Sequence, residues 1–446
     1  MNDSQFGAAR RPASIAEQPD ALAELLAGRW VDPESALPIG VPVRAIAIEK
    51  SLAGMEADLV RALAAGRRFA VVTDATTQQV LGARVARALA SLGAIDSIVL
   101  DATPHADIET VERVRHATAM SGTLVAVGSG TINDLCKHAA ALDGKPYVVF
   151  ATAPSMNGYT SMNAAISVAG HKKTLPARAP LGVFVDLAVL AAAPRRMIQS
   201  GLGDSLCRST AQADWLLSRH LRNTPYRAAP FALLAADEAT LLDAPEALVG
   251  GDLAAMRVLA RTLVLSGLGM TICGGSYPAS QGEHLISHYI DMFAPAGRAD
   301  YFHGEQVGVA TLTMARIQQA MLAGGPPRVS ADTVNRGDLT ERFGEPIGDA
   351  CWSEYAPKRL SREAAEALSA RIAERWDDLR ADVQSVTIPP ATLADVMARA
   401  GCPRTPEAIG VTAEFYRRAV HDARLLRDRY TFLDLAAAAG RLGALS

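Results

Sequence analysis

Thr123-Leu124-Val125-Ala126-Val127-Gly128-Ser129-Gly130-Thr131-Ile132-Asn133-Asp134 runs from an apolar stretch through two glycines into a helical pattern. An unbroken apolar run of this length reads as a strand buried on both faces of a parallel sheet. The glycines at its end allow backbone N–H groups close to an anion, and a helix N-terminus adds favourable partial charge. The segment predicts a strand, a turn and a helix that hold the pyrophosphate of a dinucleotide. It lacks both the full G-x-G-x-x-G spacing and the P-loop lysine-serine pair. A tight turn that holds no ligand is the alternative.

The same alternation extends outward on both sides. Short β-branched runs at 44–48, 69–74, 97–100, 146–150 and 182–186 are separated by helical patterns, among them 78–92, 109–120 and one that begins at Ile132. Such spacing predicts βαβ units and a buried parallel sheet. Asp74, which ends one strand, is placed either to accept hydrogen bonds from an adenine ribose or to cap a helix. Beyond Pro194 the strand pattern stops. Helical periodicity takes over, as at 205–220, 228–242, 253–265 and 364–376, with 324–345 read as an exposed loop. The expected organisation is an N-terminal extension over 1–40 with one short helix near 21–28, an α/β dinucleotide-binding domain over 41–195, and an all-helical metal- and substrate-binding domain over 196–446. Two domains suit 446 residues, since single cores stop growing near ~250–300.

Composition excludes several classes. A net charge of −3 with no long basic run argues against a nucleic-acid partner. The five cysteines, Cys136, Cys207, Cys273, Cys351 and Cys402, include no Cys-x-x-Cys pair, so neither a disulfide framework nor a thiolate zinc site is expected. A reducing cytoplasm fits best. The first 20 residues carry Asp3, Glu17 and Asp20 and no apolar stretch, unlike a signal peptide. The alanine-rich segments are read as broken by charge before the ~18–20 apolar residues of a membrane span.

Two short regions carry metal-binding chemistry. Gly282-Glu283-His284-Leu285-Ile286-Ser287-His288 and Tyr301-Phe302-His303-Gly304-Glu305 hold three of the nine histidines. On a helix, His284 and His288 share a face. With a third imidazole and a carboxylate they can form an N/O site for a divalent ion. The carboxylate candidate is Asp204 in Ser200-Gly201-Leu202-Gly203-Asp204, where the two halves meet. Surface or satisfied core histidines are the alternative.

Taken in order, several segments resemble the glycerol-1-phosphate dehydrogenases of bacteria and archaea, within the iron-containing alcohol dehydrogenase and dehydroquinate synthase-like superfamily. They are the glycine turn with Asp134, Thr152-Ala153-Pro154-Ser155-Met156-Asn157-Gly158-Tyr159-Thr160-Ser161, Lys172-Lys173-Thr174, Ala179-Pro180, Asp186-Leu187, Ala193-Pro194, Gly203-Asp204, Asp214-Trp215, Glu283-His284, His303-Gly304-Glu305 and Arg427-Asp428-Arg429-Tyr430-Thr431. The likeness runs from about 42 to 310 and again over 420–440, while 1–40 and 325–400 add little.

The resemblance implies a Rossmann-like parallel sheet followed by helices, with Asp204, His284 and His303 on the metal. That metal is zinc foremost, or nickel or iron. It implies His288 near the nicotinamide and the reacting carbon, Gly128, Ser129 and Gly130 on the pyrophosphate, Asp134 on the cofactor side, and Thr152, Ser155 and Ser161 lining the nicotinamide side. The cofactor is NAD or NADP, and a homo-oligomer, dimeric or larger, is expected. The implied reaction interconverts dihydroxyacetone phosphate and sn-glycerol 1-phosphate. Asn157 stands where the family pattern has an aspartate; an amide still hydrogen-bonds a hydroxyl but cannot accept a proton. Gln281 is a milder departure, at a position where serine is common. Lys172, Lys173 and Arg208 are candidates for the substrate phosphate, with a solvated surface role equally open for each lysine. The competing readings are a dehydrogenase of another polyol or a hydroxyphosphonate, a dehydroquinate synthase-like cyclase, and a cofactor-binding protein without turnover.

Overall fold

The computed structural model describes residues 20–64, 66–295 and 301–445. The loosely ordered start expected over 1–19 lies outside the described residues. The short helix expected near 21–28 spans Ala21–Leu26 and leads into a two-strand ribbon, β1 (Trp30–Val31) with β2 (Pro38–Ile39).

The main sheet contains β3 (Ala45–Glu49), β4 (Arg68–Asp74), β5 (Ala94–Leu100), β6 (Thr123–Gly128), β7 (Tyr147–Ala151) and β10 (Gly182–Asp186), all parallel, in the order β3-β10-β7-β6-β4-β5. In β6 every residue is buried because the pleat sends Leu124 and Ala126 into one core and Val125 and Val127 into another. Double burial is why the strand reads as an unbroken apolar run. From β4 the chain moves outward to β5 and then returns to the opposite side of β4 at β6. Strand order therefore reverses between β4 and β6, and a crevice at the strand C-termini is where open α/β sheets take ligands. Gly128 ends β6 and Asp74 ends β4 at that reversal.

Between β7 and β10 the structure adds an antiparallel hairpin absent from the sequence reading, β8 (Asn163–Val168) and β9 (His171–Pro176). Its two-residue turn, Ala169-Gly170, has φ of 48° and 77°, the positive values a tight hairpin turn requires. The hairpin was missed because β9 is half-exposed and carries His171-Lys172-Lys173, outside the β-branched signature.

Beyond β10 the described chain is helical. The expected 205–220 helix is two: Arg195–Leu206 and Arg208–Arg222, broken at Cys207. Asp204 therefore lies in a last helical turn. The 78–92 helix contains a π-turn over Gln78–Gly82, and the 324–345 loop contains a helix, Arg336–Phe343. The helix expected over 253–265 continues to Cys273 and is long and apolar enough to cross a membrane by length and composition. This corrects the expectation that charge interrupts every such stretch. Most of it is buried within the same core as one face of the sheet.

Candidate metal and cofactor site

Two close helix crossings bring the metal-ligand candidates together. A Cβ on Gly203 would strike the Gly304 carbonyl oxygen, and one on Gly304 would strike that of Ser200. Only glycine allows the Asp204 helix to lie this near the N-terminus of helix His303–Leu322. Arg196 closes the crossing by donating through Nε and Nη2 to Glu305, at 2.8 and 2.7 Å. The third helix, Gly282–Phe293, carries His284 and His288 on one buried face.

Ligand atoms of Asp204, His284 and His303 lie within 4.8 Å of one another. His284 Nε2 is 3.5 Å from Asp204 Oδ1, and the His284 and His303 ring centres are 5.0 Å apart. Asp204 Oδ1 is buried without a hydrogen-bond partner among the described residues, whereas Oδ2 accepts from the Asn157 backbone N–H at 2.8 Å. A carboxylate oxygen left unsatisfied beside two imidazoles is costly unless a cation joins them, so these donors fit a divalent ion. On its far side His284 Nδ1 lies 2.9 Å from Glu283 Oε1, which sets Nε2 toward the cluster. Burial alone would lower the His284 pKa, but the neighbouring Asp204, Cys207 and Glu283 side chains hold it well above the usual value. Burial pushes the pKa of His303 and of His288 down, reinforced at His303 by His284 and at His288 by the charge of Arg427. Cys207, Glu283 and His284 form a second compact group behind the first.

The cleft in front of these residues is lined by Gly130, Thr131, Asp134, Asn157, Ser161, Lys172 and Thr174 from the α/β side, and by Asp204, Ser276, Ser280, His284, His288 and His303 from the helical side. Gly130 begins a helix reaching Leu142, with Ser129 as its extended N-cap, so the first N–H groups of this helix have no helical acceptor. A Cβ on Gly128 would come within 2.5 Å of Ile132 Cβ, which ties that glycine to the tight strand-to-helix turn. Asp134 lines the cleft and braces the hairpin by accepting from Ala165 N–H at 3.0 Å. Asn157 Nδ2 and His288 Nδ1 are buried without hydrogen-bond partners among the described residues.

Thr152, Ser155, Asp74 and Arg208 do not line this cleft. Thr152 N–H donates to the Gly128 carbonyl at the turn, and the Ser155 carbonyl accepts from Ser200 Oγ on the Asp204 helix, so each contributes a backbone contact. Asp74 matches the helix-cap alternative in its contacts: one oxygen accepts from Thr76 and Thr77 N–H. Arg208 does not face the cleft. Its guanidinium is bound to Glu238 and stacked over Phe231, which removes it from the phosphate candidates.

Sequence reasoning missed Lys137, which is fully buried and donates to Gly158 O, Ser161 Oγ and Asn163 O at 2.6, 3.0 and 3.1 Å. It pins the loop that carries Asn157. Its position one helical turn after Asp134 was the available signal. Sequence reasoning also gave no role to Arg429, whose guanidinium donates to Ser276 Oγ and Ser280 O on the cleft wall.

Known proteins share the fold and part of the sequence. The sequence model for iron-containing alcohol dehydrogenases matches residues 47–194. Glycerol-1-phosphate dehydrogenase (NAD(P)+) of Bacillus subtilis (strain 168) is 31% identical over 407 residues, 90% of this chain and 92% of the relative. Its namesake from Pyrococcus furiosus is 32% identical over 276 residues, 61% of this chain and 78% of the relative. Sulfoacetaldehyde reductase from Bifidobacterium kashiwanohense, solved in complex with NAD+, has a TM-score of 0.57 at 16% identity, covering 91% of this chain and 96% of that one. Butanol dehydrogenase A from Thermotoga maritima gives 0.55 at 14%, covering 91% and 94%. At such identities the two structures carry the fold alone.

Fold and sequence together define an oxidoreductase of the iron-containing alcohol dehydrogenase superfamily. Within it, the chain belongs to the glycerol-1-phosphate dehydrogenase family.

Proposed function

We propose that this protein interconverts dihydroxyacetone phosphate and sn-glycerol 1-phosphate by hydride transfer with NAD or NADP, using one divalent metal. The observation that carries the reading is the common cleft, where Asp204, His284 and His303 face the anion-binding turn at Gly130. Asp204, His284 and His303 hold the ion, with zinc the first choice for this N/O set and nickel or iron the others. A bound divalent ion polarises the carbonyl and stabilises negative charge on its oxygen. The N–H groups at Gly130 and Thr131 receive the dinucleotide pyrophosphate, Asp134 and Ser161 border its nicotinamide end, and Asp74 is assigned to the ribose. Asn157 Nδ2, turned into the cleft without a partner, donates to a substrate oxygen. His288 Nδ1, buried and unpartnered among the described residues, relays the proton to or from the reacting oxygen. The cofactor does the redox chemistry, and the chain fixes its geometry against the substrate.

A cytoplasmic location is supported by five cysteines that are all free thiols. The homo-oligomer belongs to the same proposal and is read by size-exclusion chromatography with light scattering. A dehydrogenase of another phosphorylated polyol or a hydroxyphosphonate is the second reading, favoured by Asn157 at the aspartate position.

The test is reduced-cofactor oxidation by purified, metal-supplemented protein. Dihydroxyacetone phosphate should be reduced to the sn-1 enantiomer. No oxidation with this ketone, alongside turnover of a different phosphorylated or phosphonate substrate, would replace the first reading with the second.

A further inference from the structure

Strand β9 places Lys172 and Thr174 two residues apart, so both side chains lie on one face, and both border the catalytic cleft. Helix Gly282–Phe293 packs against this strand. Behind the hairpin, a hollow joined to the cleft through Lys172 and Thr174 is walled by Lys172, Lys173, Arg427 and Arg429, against the carboxylates of Glu354 and Asp428. Arg429 is occupied by Ser276 and Ser280. Arg427 is not saturated: Nη1 donates to Thr174 Oγ1 at 2.8 Å, while Nη2 is shut off from solvent with no acceptor among the described residues. His171 Nδ1, on the same wall, is likewise buried without a partner, and burial with the charges of Lys173 and Arg427 pushes its pKa down to about 4.

A half-buried guanidinium with an idle donor is retained at a cost to stability unless an anion completes it. Its planar fork matches a phosphate, and an ammonium and a hydroxyl beside it add a point charge and another hydrogen bond. The dinucleotide pyrophosphate has its own donors at the Gly130 turn, so this cluster is free for a different anion.

We propose that Arg427, together with Lys172 and Thr174, recognises the terminal phosphomonoester of the substrate and makes the enzyme specific for phosphorylated ketones. The assignment rests on the proposed function in requiring a phosphorylated substrate. It brings the segment 427–429, distant in sequence, into the substrate site and replaces Arg208 among the phosphate candidates.

The experiment compares kcat/KM for dihydroxyacetone phosphate and dihydroxyacetone in metal-loaded wild type, Arg427→Gln and Lys172→Gln. The ratio of phosphorylated to unphosphorylated substrate should fall roughly 30-fold or more in Arg427→Gln and about tenfold in Lys172→Gln, the range for losing charge-assisted hydrogen bonds. Competitive inhibition by inorganic phosphate should weaken in parallel. Lys172 lies on a half-exposed strand, so its variant keeps the test decisive should Arg427→Gln fold poorly. Equal losses on both ketones, or a loss confined to the KM of the dinucleotide, would overturn the assignment. If wild type reduces neither ketone, the functional reading fails separately. The cluster is then judged by calorimetric titration with inorganic phosphate: binding by wild type that Arg427→Gln lacks supports it, and equal or absent binding rejects it.

Discussion

His284 shows how one side chain is set for its task. Its Nδ1 faces the Glu283 carboxylate and its Nε2 faces Asp204, so the ring cannot turn without losing a buried contact. Glu283 is in turn fixed by Gln281 N–H at 2.8 Å and Thr210 Oγ1 at 3.3 Å. Glu283→Gln keeps the shape but removes the charge that strengthens the imidazole as a donor. We expect metal affinity to drop about 10–100-fold, read by competition with a chelator of known affinity. Apo-protein unfolding should change far less, separating ligand tuning from loss of fold. Asn157 has its proposed role on the substrate side. Asn157→Ala should cost about 1 kcal/mol of transition-state binding, a several-fold loss of kcat/KM, with metal content unchanged.

At the scale of elements, the helix crossing at Gly203 and Gly304 sets the distance between Asp204 and His303. Gly203→Ala would push backbone against backbone, which no rotamer change relieves. Destabilisation of roughly 1–3 kcal/mol in urea unfolding is expected, with weakened metal retention. Unaltered metal affinity in a folded variant would show that the crossing does not set the site. The inner sheet strands were readable because burial on both faces leaves a continuous apolar run, as in Leu124 to Val127. Hairpin β8–β9 was not, because its second strand is half-exposed and cationic. His284 and His288 declared a shared face through their spacing, with a third imidazole and Asp204 as candidate partners, and the family resemblance narrowed the ligand set to Asp204, His284 and His303. The approach of Arg427 to Thr174 spans more than half the chain and leaves no periodic trace in either segment.

Across the whole molecule, Asp214 links distant parts of the chain at the rear of the site. Its carboxyl accepts from Gly282 N–H at 3.0 Å, Phe432 N–H at 2.9 Å and Gln318 Nε2 at 3.2 Å. Burial, and then the nearby charge of Glu283, pushes its pKa up to about 8. A carboxyl raised in the folded state binds a proton there that the unfolded chain releases near pH 4. Its stabilising share is therefore complete below the unfolded pKa and lost as pH rises toward 8. His171, lowered to about 4, has the opposite sign below pH 6.5, where the unfolded imidazole gains a proton and the folded one does not. Between pH 6.5 and 8 the Asp214 slope stands without that opposition, at about 1.4 kcal/mol per pH unit. Urea midpoints should fall across this window in wild type and fall less in Asp214→Asn. Parallel slopes would show that Asp214 is ionised throughout.

The proposed chemistry depends most on an ion shared by Asp204, His284 and His303 in front of the dinucleotide. The most direct measurement strips the purified protein with a chelator, then titrates divalent metal back while following reduced-cofactor oxidation with dihydroxyacetone phosphate. Wild type should recover its full rate at about one ion per chain, and His284→Ala should remain at least about a hundredfold slower at the same loading. Normal turnover by stripped wild type, or by His284→Ala, would contradict the account.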